Sequence, residues 1–184
     1  MCEEMLIKHC SPTLAGLKTW NMFTCYFENE VKMRDSIRSF NRILVKKGLR
    51  ILPLRFRNNR GLIYVYRPSR LCRDFKNSGA CRILEECGYT PSVPASCITR
   101  LMKRLNGDED FPHEIGLFLG YPPEDVCGFM ENRAEGCKCV GCWKVYGDAD
   151  AAEKTFARYK KCTDIYCALF AEGRSIERLT VNVA

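Results

Sequence analysis

The chain has 184 residues, of which 46% are hydrophobic and 11% aromatic, and its formal net charge is +7. This length suits a single domain with a substantial core over residues 1–184, and the composition excludes a largely disordered chain. No run of about 18 apolar residues occurs, and the acidic start MCEEM lacks the basic region of a secretory signal, so we expect a water-soluble protein that neither spans a membrane nor is exported.

The basic charge is concentrated in the first part of the chain. Residues 1–107 carry 20 Lys and Arg against 8 Asp and Glu, whereas residues 108–184 carry 9 against 14. Such a basic surface suits nucleic acid or a phosphorylated ligand, but two halves that pack together would compensate each other. No helix-turn-helix signature, arginine-rich tail or interleaved aromatic and basic motif is present. The sequence therefore disfavours nucleic acid and leaves a small molecule or a protein as the partner.

Thirteen cysteines suggest a disulfide-rich protein, but three observations oppose this interpretation. The count is odd, no signal peptide is evident, and a domain of this length does not need covalent cross-links. Cysteines within apolar runs, such as Cys72, Cys97 and Cys167, suit core positions, where free cysteine behaves as a small hydrophobic residue. We therefore expect reduced cysteines, no structural disulfides and a cytoplasmic location.

The first third of the chain predicts a helix, a strand, a second helix and a hairpin. A short helix near residues 2–9 leads into a loop, and a strand follows at residues 23–27. The second helix ends at Gly48 and is indicated by apolar residues at helical spacing, namely Met33, Ile37, Phe40 and Leu44. The runs LRILPLRF and LIYVY, joined by the turn NNRG, predict a β-hairpin. Pro53 places its first strand at a sheet edge or a bulge.

The middle of the chain predicts helices separated by breaks. After Pro68 the pattern is helical as far as Gly88, with an interruption near residues 77–79. The stretch TPSVPAS (residues 90–96) is a possible internal linker, and its last residue, Ser96, is a candidate N-cap for the next helix.

The last third predicts two more helices around one strand. Pro123 suits the first position of a helix, CKCVGCWKVY is typical of a strand, and a long helix follows the turn at residues 147–148. Because helices and strands do not alternate strictly, the fold class is α+β. We expect a small, mostly antiparallel sheet of about four strands, packed by several helices.

The string HCSPTLAGLK (residues 9–18) is the first candidate site. An imidazolium or a helix terminus lowers the pKa of a neighbouring thiol, so His9 and Cys10 suggest an activated nucleophile. Adjacent helical residues point about 100° apart, however, and the two side chains need not touch. The alternative, which the sequence favours, is a helix end with a buried cysteine.

The string FPHEIGLFLGYP is the second candidate. His113 and Glu114 supply the two parts of an acid–base pair, while the absence of a second histidine excludes an HExxH zinc site. Gly116 and Gly120, within an apolar run, suggest a close approach by another element or by a ligand.

The third candidate is a cysteine cluster formed by Cys137, Cys139 and Cys142. Closely spaced cysteines bind zinc or iron–sulfur clusters. A strand would point Cys142 away from the other two, and no second CxxC pair is present, so we predict no metal site here. No GxGxxG, GxxxxGK[ST] or GxSxG motif occurs, and the sequence identifies no cofactor.

Together the strings HCSPTLAGLK, LIYVYRP, FPHEIGLFLGYPPEDVCGFMEN and GCWKVYGD resemble an uncharacterised bacterial family, a domain of unknown function. The resemblance covers essentially the whole chain and implies a single cytosolic domain, with no assigned activity or cofactor. Cys10, His113 and Glu114 match the family's motifs, which makes them the better site candidates. The family's segment around Cys137 and Cys139 is not uniformly cysteine-bearing, which counts further against a metal site.

Two functional hypotheses follow. In the favoured one, the loops at residues 11–22 and 111–123 frame a pocket or partner surface of a binding domain. Its ligand-binding candidates are Thr13, Gly16, Lys18, Arg67, Gly116 and Tyr121. In the alternative, a thiol-dependent enzyme or redox protein uses Cys10 as nucleophile and His113 as base, assisted by Glu114 or His9. Metal or iron–sulfur binding by the cysteine cluster is a third, weaker possibility.

Overall fold

The fold combines α-helices with short antiparallel strands. The computed structural model describes residues 1–107, 110–133 and 135–182. The helices are α1 (Glu3–Leu14), α2 (Glu30–Leu44), α3 (Pro68–Asp74), α4 (Ser78–Glu86), α5 (Pro94–Asn106), α6 (Ile115–Phe118), α7 (Pro123–Asn132), α8 (Ala149–Ala171) and α9 (Ile176–Leu179). The strands are β1 (Trp20–Tyr26), β2 (Arg50–Arg57), β3 (Arg60–Tyr66), β4 (Cys139–Val140) and β5 (Lys144–Val145). The α+β prediction is confirmed, with a three-stranded antiparallel sheet and a separate two-stranded ribbon in place of one sheet of about four strands.

The chain forms two compact units. The first unit contains Met1–Ser69 and the chain from Tyr159 onward, and the second contains Arg70–Arg158. The segment considered as a linker, residues 90–96, lies within the second unit. Within the described ranges, no helix is both long and apolar enough to cross a membrane.

The sheet of the first unit has the strand order β1-β3-β2. The predicted hairpin is confirmed as β2 and β3, and its two turn residues, Asn58 and Asn59, have φ values of 50° and 56°. Asparagine tolerates this left-handed conformation, which the type I′ hairpin turn requires at both positions. The expectation for Pro53 is confirmed twice, because β2 is an edge strand and its register shifts between Pro53 and Arg55.

Helix α1 is longer than the sequence predicts, since it runs through Pro12 to Leu14 rather than ending near residue 9. A proline near the end of a helix removes only one backbone hydrogen bond of the ladder. The buried face of the helix continues past that position and offsets the loss, because Leu6, Cys10 and Leu14 are all fully buried. The chain leaves the helix at Gly16, whose φ of 71° favours glycine.

The core of the first unit lies between α1, α2, α9 and one face of the sheet. Helix α2 begins after Asn29, whose side chain accepts a hydrogen bond from the Lys32 N–H. A 3-10 turn (Val45–Lys47) follows its end, and Gly48 closes that turn with φ 71°. The buried apolar residues of this core are Leu6, Ile7, Cys10, Leu14, Phe23, Cys25, Met33, Ile37, Leu44, Leu49, Ile51, Ile63, Val65, Ile176 and Leu179.

Arg67, directly after β3, is fully buried and binds backbone carbonyl groups. Its Nε donates to Thr13 O at 2.9 Å, and its Nη2 donates to Leu14 O at 2.8 Å and to Val181 O at 2.9 Å. Its Nη1 donates to Lys47 O at 3.0 Å. Three of these carbonyls belong to the last residues of α1 and of the 3-10 turn after α2, where carbonyls lack helical partners and carry partial negative charge. The guanidinium therefore joins two helix ends to the C-terminal segment.

Two expectations for the second unit are wrong. Helix α5 begins at Pro94 with Val93 as its N-cap, so Ser96 lies inside the helix, because proline is favoured in the first helical turn. The segment CKCVGCWKVY forms the hairpin of β4 and β5 rather than one strand, since the glycine at position 141 lies in a turn between them. The predicted start of α7 at Pro123 is confirmed.

We predict that Arg67→Ala lowers the free energy of unfolding by about 3 kcal/mol or more, because four carbonyls lose a charged donor. Arg67→Lys should cause an intermediate loss, since one ammonium group cannot reproduce the planar fork. The measurement is urea denaturation followed by Trp20 fluorescence in a Trp143→Phe background. The exposed Arg38→Ala is the control, with a change within about 0.5 kcal/mol. An equal effect of the Arg67 and Arg38 substitutions would contradict this role.

Candidate functional site

The second unit contains an apolar pocket of about 330 Å³. It is formed by the segment before α6, by α6 and α7, and by the ribbon strand β5. Small-molecule sites have volumes of about 300–1,000 Å³, so the pocket suits a small ligand. Its lining residues are Phe111, His113, Ile115, Gly116, Tyr121, Asp125, Val126, Phe129, Trp143 and Lys144.

Gly116 allows α6 and α7 to approach closely at this pocket. A Cβ atom at this position would lie 2.7 Å from Val126 Cγ2 and 3.2 Å from Tyr121 Cδ2, which is too close for either neighbour to remain in place. Gly120 then turns the chain with φ 63°, and the Tyr121 N–H donates to Gly116 O at 3.0 Å. The close approach that the glycines predict is therefore made by neighbouring residues of the protein, and it shapes the pocket wall.

Five of the ten lining residues carry aromatic rings. Tyr121 and Trp143 are stacked, with ring centroids 4.8 Å apart and planes inclined by 27°. His113 contacts Phe111 at a centroid distance of 5.7 Å and Phe129 at 5.1 Å. Stacked and edge-to-face rings fix one another's orientation, so the pocket presents flat apolar surfaces.

Asp125 holds one side of the pocket in place. This buried carboxylate lies in the first turn of α7, where the helix dipole favours negative charge. Its Oδ2 accepts a hydrogen bond from Trp143 Nε1 at 2.7 Å, and its Oδ1 accepts from the Tyr146 N–H at 2.7 Å and the Gly147 N–H at 2.8 Å. With three donors bound, Asp125 positions Trp143 and the end of the ribbon.

Three other polar groups border the pocket. Lys144 Nζ lies 5.7 Å from the centroid of the Phe129 ring, a cation–π distance. His113 Nε2 is hydrogen-bonded to Arg133 Nη1. Tyr121 Oη donates to Cys142 O at 3.1 Å, and burial, together with the nearby Cys142, raises the pKa of Tyr121 to about 12. The tyrosine therefore remains a neutral hydrogen-bond donor at neutral pH.

Glu114 is held in a buried network that does not line the pocket. Its Oε1 accepts a hydrogen bond from Tyr89 Oη at 2.5 Å and forms an ion pair with Arg104 Nη1. Burial and the neighbouring carboxylate raise the pKa of Tyr89, which keeps the phenol protonated as a donor to Glu114. His113 and Glu114 are adjacent in sequence, but only His113 lines the pocket, and Glu114 stabilises the fold.

Cys10 lies in the core of the first unit, whereas His113 belongs to the second. Burial raises the pKa of the Cys10 thiol, the opposite of what a nucleophilic cysteine needs. The ring of His9 is stacked on Phe23 at a centroid distance of 5.0 Å. Partial desolvation and the nearby Lys8 lower the pKa of His9, which favours the neutral imidazole. The surroundings of Cys10 and His9 therefore give the thiol-enzyme hypothesis no support.

The ligand-binding candidates of the first unit make contacts within that unit. Thr13 Oγ1 donates to Asn21 Oδ1 at 2.7 Å, and the nearly buried Lys18 places Nζ 5.6 Å from the centroid of the Tyr159 ring. Gly16 supplies the left-handed turn after α1, and Arg67 binds the four carbonyls described above. Thr13, Gly16 and Lys18, the candidates within HCSPTLAGLK, therefore have structural roles in the first unit.

The cysteines divide between core and surface. Cys10, Cys25, Cys97 and Cys162 are buried, whereas Cys72 and Cys167, which were expected at core-like positions, are exposed because they lie on the outer faces of α3 and α8. Within residues 1–107, 110–133 and 135–182, no three His, Cys, Asp or Glu side chains are arranged to hold a metal ion. In the third candidate site, Cys137 and Cys139 are half-buried and Cys142 is exposed.

Three lining residues, His113, Gly116 and Tyr121, are site candidates from the sequence, and the loop predicted to frame a pocket, residues 111–123, also contains Phe111 and Ile115. Sequence reasoning did not identify the other five, which are Asp125, Val126, Phe129, Trp143 and Lys144. A signal for them was present, because every lining residue falls within FPHEIGLFLGYPPEDVCGFMEN or GCWKVYGD. Two of the four strings that carry the family resemblance therefore meet at one pocket.

We predict that native Cys10 reacts with iodoacetamide at least about tenfold more slowly than the exposed Cys72, Cys142 and Cys167, because it is inaccessible and its pKa is raised. Peptide mass spectrometry over a time course gives the rate for each cysteine. In concentrated urea the rates should become similar, which controls for local sequence effects. Native labelling of Cys10 as fast as Cys142 would contradict its burial and revive the thiol-enzyme hypothesis.

Comparison with known proteins agrees with the resemblance found in the sequence. No curated protein and no solved structure matches the chain. One family model matches residues 6–180, which include all ten residues that line the pocket. On this evidence, the chain belongs to the family described as "Protein of unknown function (DUF3793)".

Proposed function

We propose that this protein is a cytoplasmic small-ligand-binding protein whose site is the aromatic pocket of the second unit. The observation that carries the proposal is a cavity of about 330 Å³ walled by Phe111, Tyr121, Phe129 and Trp143. Concave, mainly apolar cavities with a few polar groups are the usual form of small-molecule sites. The hydrogen bonds of Asp125 support a rigid wall, which lowers the conformational entropy lost on binding.

The lining indicates the chemistry of the ligand. Flat rings on several sides favour a planar aromatic group, which gains both apolar contact and stacking. Among the described lining residues, Asp125 and Lys144 are the Asp, Glu, Lys and Arg side chains, and Asp125 already accepts three hydrogen bonds. Lys144 is therefore the group that would attract a ligand charge. We infer a planar aromatic ligand with an anionic substituent.

Binding requires less of this site than catalysis does. The buried carboxylates Asp125 and Glu114 are both held by protein donors, which suits structural roles. His113 borders the cavity and is the lining side chain best suited to act as an acid or a base. A reaction would need a second reacting group placed beside it, whereas binding needs only the walls and Lys144.

The cytoplasmic part of the proposal rests on the cysteines. All thirteen lie in described residues, where none is paired in a disulfide, and four are buried as small apolar residues. Exposed free thiols such as Cys72, Cys142 and Cys167 persist most readily in a reducing compartment.

We predict that 2-naphthoate, a planar aromatic carboxylate, binds one-to-one with a Kd below about 1 mM, the affinity expected for a ligand of its size. The measurement is the change in Trp143 fluorescence on titration, in a Trp20→Phe background that leaves one tryptophan. Phe129→Ala should raise the Kd about tenfold by removing one wall of the cavity. Lys144→Gln should raise it several-fold for 2-naphthoate but not for the neutral 2-naphthamide.

The matched control is Lys103→Gln, which removes an exposed lysine of the same unit and should leave the Kd unchanged. Fluorescence that does not saturate, or equal affinities in wild type and Phe129→Ala, would show that the pocket does not bind this class of ligand. Equal effects of the two lysine substitutions would remove the case for an anionic substituent.

We also predict that protein alkylated during cell lysis without reductant, then denatured, carries 13 alkylated cysteines per chain by intact mass. A reducing compartment leaves all thiols available to the reagent. Species lighter by two or more alkyl groups, which become fully alkylated only after reduction, would indicate disulfides and contradict a cytoplasmic location.

A further inference from the structure

The outer face of the three-stranded sheet carries a basic and aromatic surface at its hairpin end. We call it the basic sheet face. It forms an open groove of about 560 Å³ whose lining residues are Thr24, Tyr26, Arg55, Arg57, Asn58, Arg60 and Leu62. All of them belong to the first unit, and the second-unit pocket proposed as the ligand site shares none of them.

Strand register brings these residues together. Arg60 of β3 lies between Tyr26 of β1 and Arg57 of β2, and Leu62 lies between Thr24 and Arg55. Side chains alternate between the two faces of a strand, so these positions share one face while their neighbours point into the core. The β2–β3 hairpin supplies three guanidinium groups, and β1 adds one phenol ring to the same surface.

The charge of this surface is uniformly positive. Among the described residues that line the groove, none carries a carboxylate. The first unit as a whole has 17 Lys and Arg against 8 Asp and Glu. Clustered arginines create a positive potential that attracts phosphate groups, and guanidinium groups bind phosphate through two parallel hydrogen bonds.

The same surface offers flat groups for stacking. Tyr26 is 71% exposed, which leaves its ring open to solvent. The guanidinium carbon of Arg60 lies 4.8 Å from the centroid of its ring. Nucleic-acid bases stack both on aromatic rings and on guanidinium planes, so the stacked pair supplies a platform of the required kind.

We propose that the basic sheet face binds single-stranded nucleic acid. Arg57 and Arg55 contact the phosphate backbone, while a base stacks on the platform of Tyr26 and Arg60. A duplex keeps its bases stacked on one another and gains nothing from an exposed tyrosine, whereas an unpaired base gains from both the ring and the charge. The sequence alone does not suggest this site, because strand pairing is needed to bring Tyr26 of β1 beside the arginines of residues 55–60.

The proposal is tested with a fluorescein-labelled oligo(dT) 12-mer, with anisotropy measured between 50 and 200 mM NaCl. The wild type should bind at low salt. Arg55→Ala/Arg57→Ala should weaken binding at least about tenfold and reduce the slope of log K against log salt by about 1.4, or 0.7 for each lost phosphate contact. Tyr26→Ala should weaken binding about fivefold or more, while Tyr26→Phe keeps the ring and the affinity.

The matched control is Arg38→Ala/Arg42→Ala, which removes two exposed arginines from α2 of the same unit and should change the affinity less than about twofold. Any of four results would overturn the proposal: no binding by the wild type at 50 mM NaCl, equal weakening by the two double variants, unchanged affinity of Tyr26→Ala, or equally tight binding of a 12-base-pair duplex. The proposal would also be overturned if thymidine monophosphate displaced the oligonucleotide with an affinity equal to that of the oligonucleotide. That result would assign the basic sheet face to a free nucleotide.

Discussion

A buried positive charge at Arg67 is the constraint on which the first unit depends. Removing a guanidinium from water is costly unless its donors are satisfied, and here backbone carbonyls provide the compensation. Carbonyls at helix ends are suited to this because they have no acceptor role within the helix and lie at the negative end of the helix dipole. One side chain thus fixes where α1 ends, where the turn after α2 ends, and where the C-terminal segment returns, although these lie far apart in sequence.

Much of the fold could be predicted because its signals are local. The spacing of Met33, Ile37 and Leu44 predicts α2, and the turn Asn58–Asn59 between two β-rich runs predicts the hairpin. The extension of α1 past Pro12 could not be predicted in the same way. It depends on tertiary burial of Leu14, which outweighs a local helix-breaking signal.

The candidate site could be predicted only in part, for a related reason. A motif marks residues that matter, but it does not say whether each one faces a cavity or the core. His113 borders the pocket while Glu114, its neighbour, lies in an ion-paired network. Cys10 and Arg67 likewise proved to be interior residues. Asp125 escaped notice because its role, orienting Trp143 from another element, exists only in three dimensions.

The proline in β2 has a consequence for behaviour in solution. An edge strand presents unpaired backbone groups that can recruit a strand from another molecule, which is a route to aggregation. Pro53 removes one such donor, and the register shift beside it bends the edge away from the straight geometry that intermolecular pairing needs. The arginines at positions 55 and 57 add mutual repulsion between two such edges. A protein with an open three-stranded sheet is in this way protected from adding a fourth strand from a neighbouring copy along β2.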